Sequence, residues 1–340
     1  MTGREIVRRT LTFDQPERIA MSLPAPYPND FLSAGPSDDP RHPEGRWQQV
    51  AEERWERTDE WGNTWARIEG ITKGEVARGV LEEWDALDKI ELPDYDLPSR
   101  YEAPRQAFAE CPDRFRIGWL PGFPFSVARK MRRLDNFLVD VLAEPERTRR
   151  LLATVEEQLH HAVRRFAEAG ADGVMFCEDW GTQDRLLVSP RVWRETFGPG
   201  FERLCATARE CGVFVLMHSC GYIREVMDDL ITAGIACFQF DQPALYGVAT
   251  LARDFAGRVT FWCPVDIQAT LQTRDTAKIQ AAAREMIDRL GAGGGFIAGY
   301  YGSNEALGLD PKHQDAACRA FVEHGAPALW PDVERRLASA

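Results

Sequence analysis

The chain has 340 residues, enough for two average domains or for one large α/β barrel with an ample core. Its 41 basic and 53 acidic residues leave a net charge of -12, which argues against a polyanion such as nucleic acid as partner. The amino-terminal stretch MTGREIVRRTLTFDQPERIA is charged and lacks a signal-peptide apolar core, and no segment reaches the apolar length of a membrane span. A cytoplasmic protein is expected, with neither membrane nor nucleic acid as partner.

Residues 1–100 are the least regular part. A short basic amphipathic helix is expected over 1–12 and a strand over 18–23. Residues 24–47 are rich in Pro, Asp and Gly and read as loop. WGNTWARIEGI, 61–71, has the alternation and turn residues of a small hairpin. A helix is expected over 82–93. From about residue 103 a rhythm sets in. Strands are expected over 114–121, 173–178, 213–220, 236–241, 259–263 and 295–301. Helices are expected over 103–111, 126–142 (in two pieces), 145–169, 190–210, 222–233, 248–255, 276–290 and 312–324. Alternation of this length argues for a parallel sheet with helices outside. An open doubly wound sheet and a closed barrel both fit it. No GxGxxG or GxxxxGK[ST] follows a strand, and the barrel is the favoured reading. The strand count reaches eight only if early segments contribute. The expectation is a (β/α)8 TIM-type barrel as one domain over 1–340, with 1–100 as an elaboration of helix, loop and hairpin.

Eight cysteines are present without disulfide-framework spacing, so free thiols or metal ligands are expected. The most telling segment is VFVLMHSCG, an apolar run that stops at a glycine. On a strand, residues two apart share a face, so His218 and Cys220 converge at the carboxyl end, where α/β folds build their sites. One imidazole and one thiolate are two parts of a zinc site, and a catalytic zinc takes three protein ligands and keeps one position open. Cys263, after the apolar VTFW, is the leading candidate for the third ligand, with Glu178, Asp179 and Cys177 as competitors. Alternation sets Cys177 and Asp179 on one face and Glu178 on the other. The plainer reading is that His218 bonds a backbone carbonyl and Cys220 merely packs.

Glu178 and Asp179 follow an apolar strand, where carboxylates serve as acid, base or substrate holder, or cap the next turn. Gln183 and Asn304 could offer neutral hydrogen bonds, and Asp241 ends another strand. Trp119, Phe123, Phe125, Trp180, Tyr300 and Tyr301 cluster at strand ends and suit a flat or apolar ligand, although each taken alone is ordinary packing. His160 and His161 are helix neighbours pointing apart and cannot chelate one ion together. No GxSxG is present.

Several segments together resemble the uroporphyrinogen decarboxylase-like family, in its cobalamin-linked methyltransferase branch. They are TGREIVRRTLTFDQPERIA, FLVDVLAEPERTRRLL, DGVMFCEDWGTQDRLLVSPRVWRETFGPGFERL, VLMHSCGYI, FWCPVDIQ and GGGFIAGYYG, in that order over nearly the whole chain. The resemblance implies a (β/α)8 barrel with its active site in the carboxyl-end cleft. It also implies zinc on a strand-end HxC and a later Cys, with methyl transfer to or from a corrinoid. His218 and Cys220 match the HxC. The later Cys usually lies on the last barrel strand, but GGGFIAGYY has none, so Cys263 or a carboxylate such as Glu178 would replace it. The decarboxylase branch uses an Arg-rich amino-terminal segment, whereas SLPAPYPNDF here has no Arg. The function expected is a zinc-dependent methyltransferase moving a methyl group between a corrinoid and a small thiol or methoxy-type substrate. Zinc would sit on His218, Cys220 and Cys263, with Glu178 or Asp179 positioning substrate or relaying a proton. Trp119, Phe123, Trp180, Gln183, Asp241, Tyr300 and Tyr301 would line the substrate. The expected partners are a small corrinoid protein and, as a homodimer, a second copy of the chain. The alternatives are a metal-free decarboxylase-type lyase, with Asp179 or Asp241 stabilising a cationic intermediate, and a non-catalytic barrel that binds a corrinoid or tetrapyrrole.

Overall fold

The computed structural model describes residues 1–68 and 74–338. Twelve strands lie among them: β1 Ala20–Met21, β2 Phe31–Ala34, β3 Gln48–Ala51, β4 Arg54–Thr58, β5 Thr64–Arg67, β6 Glu75–Arg78, β7 Phe115–Trp119, β8 Gly173–Cys177, β9 Phe214–His218, β10 Ile235–Gln239, β11 Thr260–Cys263 and β12 Phe296–Ala298. Eight form one sheet in the order β1-β12-β11-β10-β9-β8-β7-β2, and every pairing in it is parallel. At the seam between β1 and β2, Asp30 N–H donates to the Met21 carbonyl (2.8 Å) and Met21 N–H to the Asp30 carboxylate (2.8 Å). Helices cover the outside, as a (β/α)8 barrel requires.

Two of the eight strands come from the irregular early part, and β2 lies where a loop was expected. FLSA is four residues amid Pro, Asp and Gly; what makes it a strand is its ladder to β7, from Phe31↔Phe115 to Ala34↔Gly118. The expected hairpin is part of a larger unit, the antiparallel sheet β3-β4-β5-β6, and its residues 69–71 fall outside the described ones. The helix expected over 82–93 is a short 3-10 turn, Trp84–Lys89. The stretch 190–210 divides into helices Pro190–Thr196 and Gly198–Glu210. An unforeseen helix, Trp330–Ala338, follows Pro311–Gly325.

The longest helix, Pro145–Glu168, shows how the sequence builds the outer layer. Proline opens it, where a missing N–H costs nothing. Leu151, Leu152, Val155, Leu159, Val163 and Phe166 repeat at helical spacing and are buried. Each contributes about 1.5–3 kcal/mol through removal from water.

The barrel has one closed and one open end. Helix Gly3–Thr12 buries Ile6, Val7 and Leu11 against the inward residues Ala20, Phe31, Phe115, Ile117, Met175, Leu216, Cys237 and Ile297. Asp172, just before β8 and buried, ties this helix down: Arg4 Nε (2.9 Å), Arg8 Nη1 (2.9 Å) and Arg116 Nε (2.9 Å) all donate to its carboxylate. The amino end is thereby plugged, and the strands' carboxyl ends are left as the mouth.

Candidate metal centre at the barrel mouth

The register sets Cys177 of β8, His218 of β9, Gln239 of β10 and Trp262 of β11 side by side. They continue the inward faces of Met175, Leu216 and Cys237, one pleat nearer the mouth. One further pleat along the same faces come Asp179, Cys220 and Asp241. Alternation therefore delivers a cluster of polar side chains to one end of an otherwise apolar barrel.

Asp179, His218 and Cys220 form a compact group whose ligand atoms all lie within 4.8 Å of one another. His218 Nε2 is 3.3 Å from Cys220 Sγ and 3.6 Å from Asp179 Oδ1. Two ligand atoms on a tetrahedral zinc stand about 3.3–3.8 Å apart, from bonds of about 2.0–2.3 Å. The nitrogen, sulfur and oxygen present here fit that ion in type, and the two separations from His218 Nε2 fit it in spacing. Asp179 also accepts a hydrogen bond from Cys220 N–H (2.8 Å), which fixes the carboxylate beside the sulfur. Cys220 is an exposed residue, yet protein packed round its sulfur pushes the thiol up to about 12, with the Asp179 and Asp241 carboxylates adding to the effect. A dipositive ion at the same point reverses that balance and holds the sulfur as thiolate.

Two loops hold the group in place. Gly221 has φ +75°, and a Cβ there would run into the Gly181 carbonyl, so the chain after β9 lies directly on the chain after β8. Tyr222 N–H donates to the Thr182 carbonyl (2.7 Å). Tyr246, buried under this crossing, donates its hydroxyl hydrogen to the Gly221 carbonyl (2.6 Å) and accepts from Ile223 N–H (3.1 Å). Asp179 and Cys220 are neighbours because these backbones touch.

Four expected site residues are placed elsewhere. Cys263 is not brought to the group. It pairs with Ala298 on the opposite face from Trp262, lies wholly buried in the core outside the barrel, and burial raises its thiol far above the ordinary range. The physical reason is parity: in VTFWC the inward place is taken by Trp262, which stacks on Phe31 at 4.6 Å. Glu178 is likewise on the outward face and wholly buried. Its carboxylate accepts from Phe123 N–H (3.2 Å), Phe125 N–H (3.0 Å) and Ser126 N–H (2.9 Å). It caps helix Pro124–Arg132, whose own N-cap residue, Phe123, makes no side-chain bond. Burial raises its pKa to about 7, against the pull of those N–H groups. Phe123 and Trp180 are core residues and not a rim: Phe123 stacks on Phe176 (4.0 Å) and Trp180 on Phe125 (3.9 Å), all buried.

The remaining candidates stay near the opening. Gln183 is exposed on the loop after β8. Tyr300 is half-buried and accepts from Asn304 Nδ2 (3.0 Å). Tyr301 is half-buried, and burial together with the nearby Asp241 and Cys220 raises its phenol. Trp119, at the end of β7, lines a cavity of about 280 Å³ shared with Trp61, Trp65, Tyr95 and Lys130. The small sheet supplies its other wall. Gln239 was missed by sequence reasoning. The signal was available: it lies two residues before Asp241, the same spacing that pointed to His218 and Cys220.

The fold is thus a parallel barrel whose carboxyl mouth, where such barrels build their sites, carries a cluster of nitrogen, sulfur and oxygen donor atoms that could hold a metal ion. Residues 67–324 match the profile of the uroporphyrinogen decarboxylase (URO-D) family. The chain belongs to that family. Among solved structures it is similar to a methyltransferase from Methanosarcina mazei, with 17% identity, a TM-score of 0.56, and coverage of 77% of this chain and 73% of that one. It is also similar to a B12-independent methionine synthase from Shewanella sp. W3-18-1, with 13% identity, a TM-score of 0.45, and coverage of 82% and 72%. No curated protein sequence matches. Among the described residues, no helix is long and apolar enough to cross a membrane.

Proposed function

We propose that the chain is a zinc-dependent methyltransferase that moves a methyl group between a corrinoid and a small thiol or methoxy-type substrate. The observation that carries this reading is the meeting of Asp179, His218 and Cys220 at the open end of the barrel. Asp179 takes the place that sequence reasoning gave to Cys263. Three protein ligands leave one vertex for a substrate atom. Zinc held there supplies Lewis acidity, lowering the pKa of a bound thiol or polarising a methoxy oxygen. The Methanosarcina mazei neighbour, a methyltransferase on the same fold, agrees with the reading.

The chain's own residues would do the rest. His218 and Cys220 hold their donor atoms 3.3 Å apart, and side chains set at that spacing would lower the cost of ordering the site. Trp119, Tyr300 and Tyr301 flank the opening and would keep water from a flat or apolar substrate. In-line transfer requires the corrinoid, carried on a separate small protein, to dock across that opening.

Metal analysis of the purified protein tests this. About one equivalent of zinc per chain, lost on His218→Ala and on Asp179→Ala but kept on Cys263→Ala, is the expected result. A metal-free protein that turns over a porphyrinogen would identify a lyase instead. Tight tetrapyrrole binding without turnover would identify a non-catalytic barrel.

A further inference from the structure

The metal reading needs His218 to offer Nε2 as a bare nitrogen, and the neighbouring strand supplies the means. Gln239 stands beside His218 in the β9–β10 register, and Asp241 follows two residues on. Gln239 Nε2 donates to Asp241 Oδ1 at 2.8 Å, and Gln239 Oε1 meets His218 Nδ1 in a short hydrogen bond. An ionised carboxylate only accepts, so it fixes which end of the amide faces it. The opposite orientation would set the amide oxygen against the carboxylate oxygen, two acceptors with no hydrogen between them. The amide oxygen therefore faces the imidazole. It too can only accept, so Nδ1 carries the ring proton and Nε2 keeps its lone pair toward Cys220 and Asp179.

We infer that Asp241 and Gln239 form a positioning relay that locks His218 in the Nδ1–H tautomer. This makes Gln239 a positioning residue for the proposed reaction; its functional consequence rests on the metal reading, but the tautomer itself does not. The choice of an amide has a further effect. With a dipositive ion bound, Asp179 and a Cys220 thiolate would together supply the two negative charges that balance it. A carboxylate in place of Gln239 would add a third beside the imidazole and weaken the ion's pull on a substrate. Asp241, two residues further along, acts on His218 through Gln239.

Long-range 1H–15N correlation spectra of the metal-free protein read the tautomer directly, with the His218 signals assigned by their loss in His218→Gln. The expected pattern is a protonated Nδ1 and a pyridine-like Nε2 in the parent. Gln239→Leu should give both tautomers and lower zinc affinity about 10–100-fold, measured by competition with a chromophoric chelator. Asp241→Asn, a milder change, releases the amide and should shift the tautomer ratio in the same direction. A proton on Nε2 in the parent, or a tautomer ratio unmoved by both variants, overturns the relay. If the spectra behave as stated but the parent binds no zinc, the relay stands and the metal reading fails.

Discussion

Replacing Glu178 by alanine separates a structural carboxylate from a catalytic one. The side chain is 0% exposed and accepts three backbone N–H groups at the start of helix Pro124–Arg132. Alanine leaves those donors in the interior with no acceptor, and each such donor costs about 1–3 kcal/mol. Water entering the vacated space recovers part, so a net loss of about 3–5 kcal/mol is expected at pH 5, where the parent holds its proton. In a chain of this size, which gains about 2.1 cal/mol/K of entropy per residue on unfolding, that is a fall of about 4–7 °C in melting temperature. The sign with pH follows from the raised pKa, about 7 in the fold against 4.5 normally. The folded state prefers the proton, so the stability this group contributes is full below about 4.5 and is lost as pH rises through about 7. The loss in the parent between pH 5 and pH 8 is on the order of 2–3 kcal/mol. The alanine variant lacks that slope, so its deficit narrows over the same range. Calorimetry and urea unfolding at both pH values measure this, together with zinc content. A variant as stable as the parent at pH 5 but unable to turn over would refute the reasoning and return Glu178 to the reacting centre.

Other perturbations address the mouth itself. Asp179→Ala should lower zinc affinity by more than about 100-fold, beyond the loss of a supporting hydrogen bond, with little change in melting temperature; the chelator competition assay reads both this and the next variant. Cys263→Ala should do the reverse, leaving zinc affinity intact and costing about 1–2 kcal/mol through a small cavity in the core; loss of zinc in that variant would contradict the outward parity of β11. Gly221→Ala sets a side chain at φ +75° against the Gly181 carbonyl, so it should force the two loops apart. It should cost more than about 2 kcal/mol and weaken zinc binding together with stability, read by denaturant unfolding with metal titration.

The chain itself determined the strand-helix rhythm from β7 onward, because buried parallel strands are short apolar runs and their helices carry an apolar stripe. It also determined that His218 and Cys220 share a face, since side chains two apart on a strand must. Parity inside one strand was readable as well: the same alternation sets Asp179 apart from Glu178 and Gln239 with Asp241. What a linear reading did not contain was the partner of each segment. FLSA became β2 only by pairing with β7, and a four-residue strand among prolines has no periodicity to announce it. The third donor could not be chosen from candidates at strand ends, because every strand has two faces and closure of the barrel decided which was inward. Trp262 took that place on β11 and turned Cys263 away, while the crossing of Gly181 over Gly221 brought Asp179 to Cys220. Donor atoms from different strands meet only after long-range packing has fixed the register, and that information is in the fold as a whole.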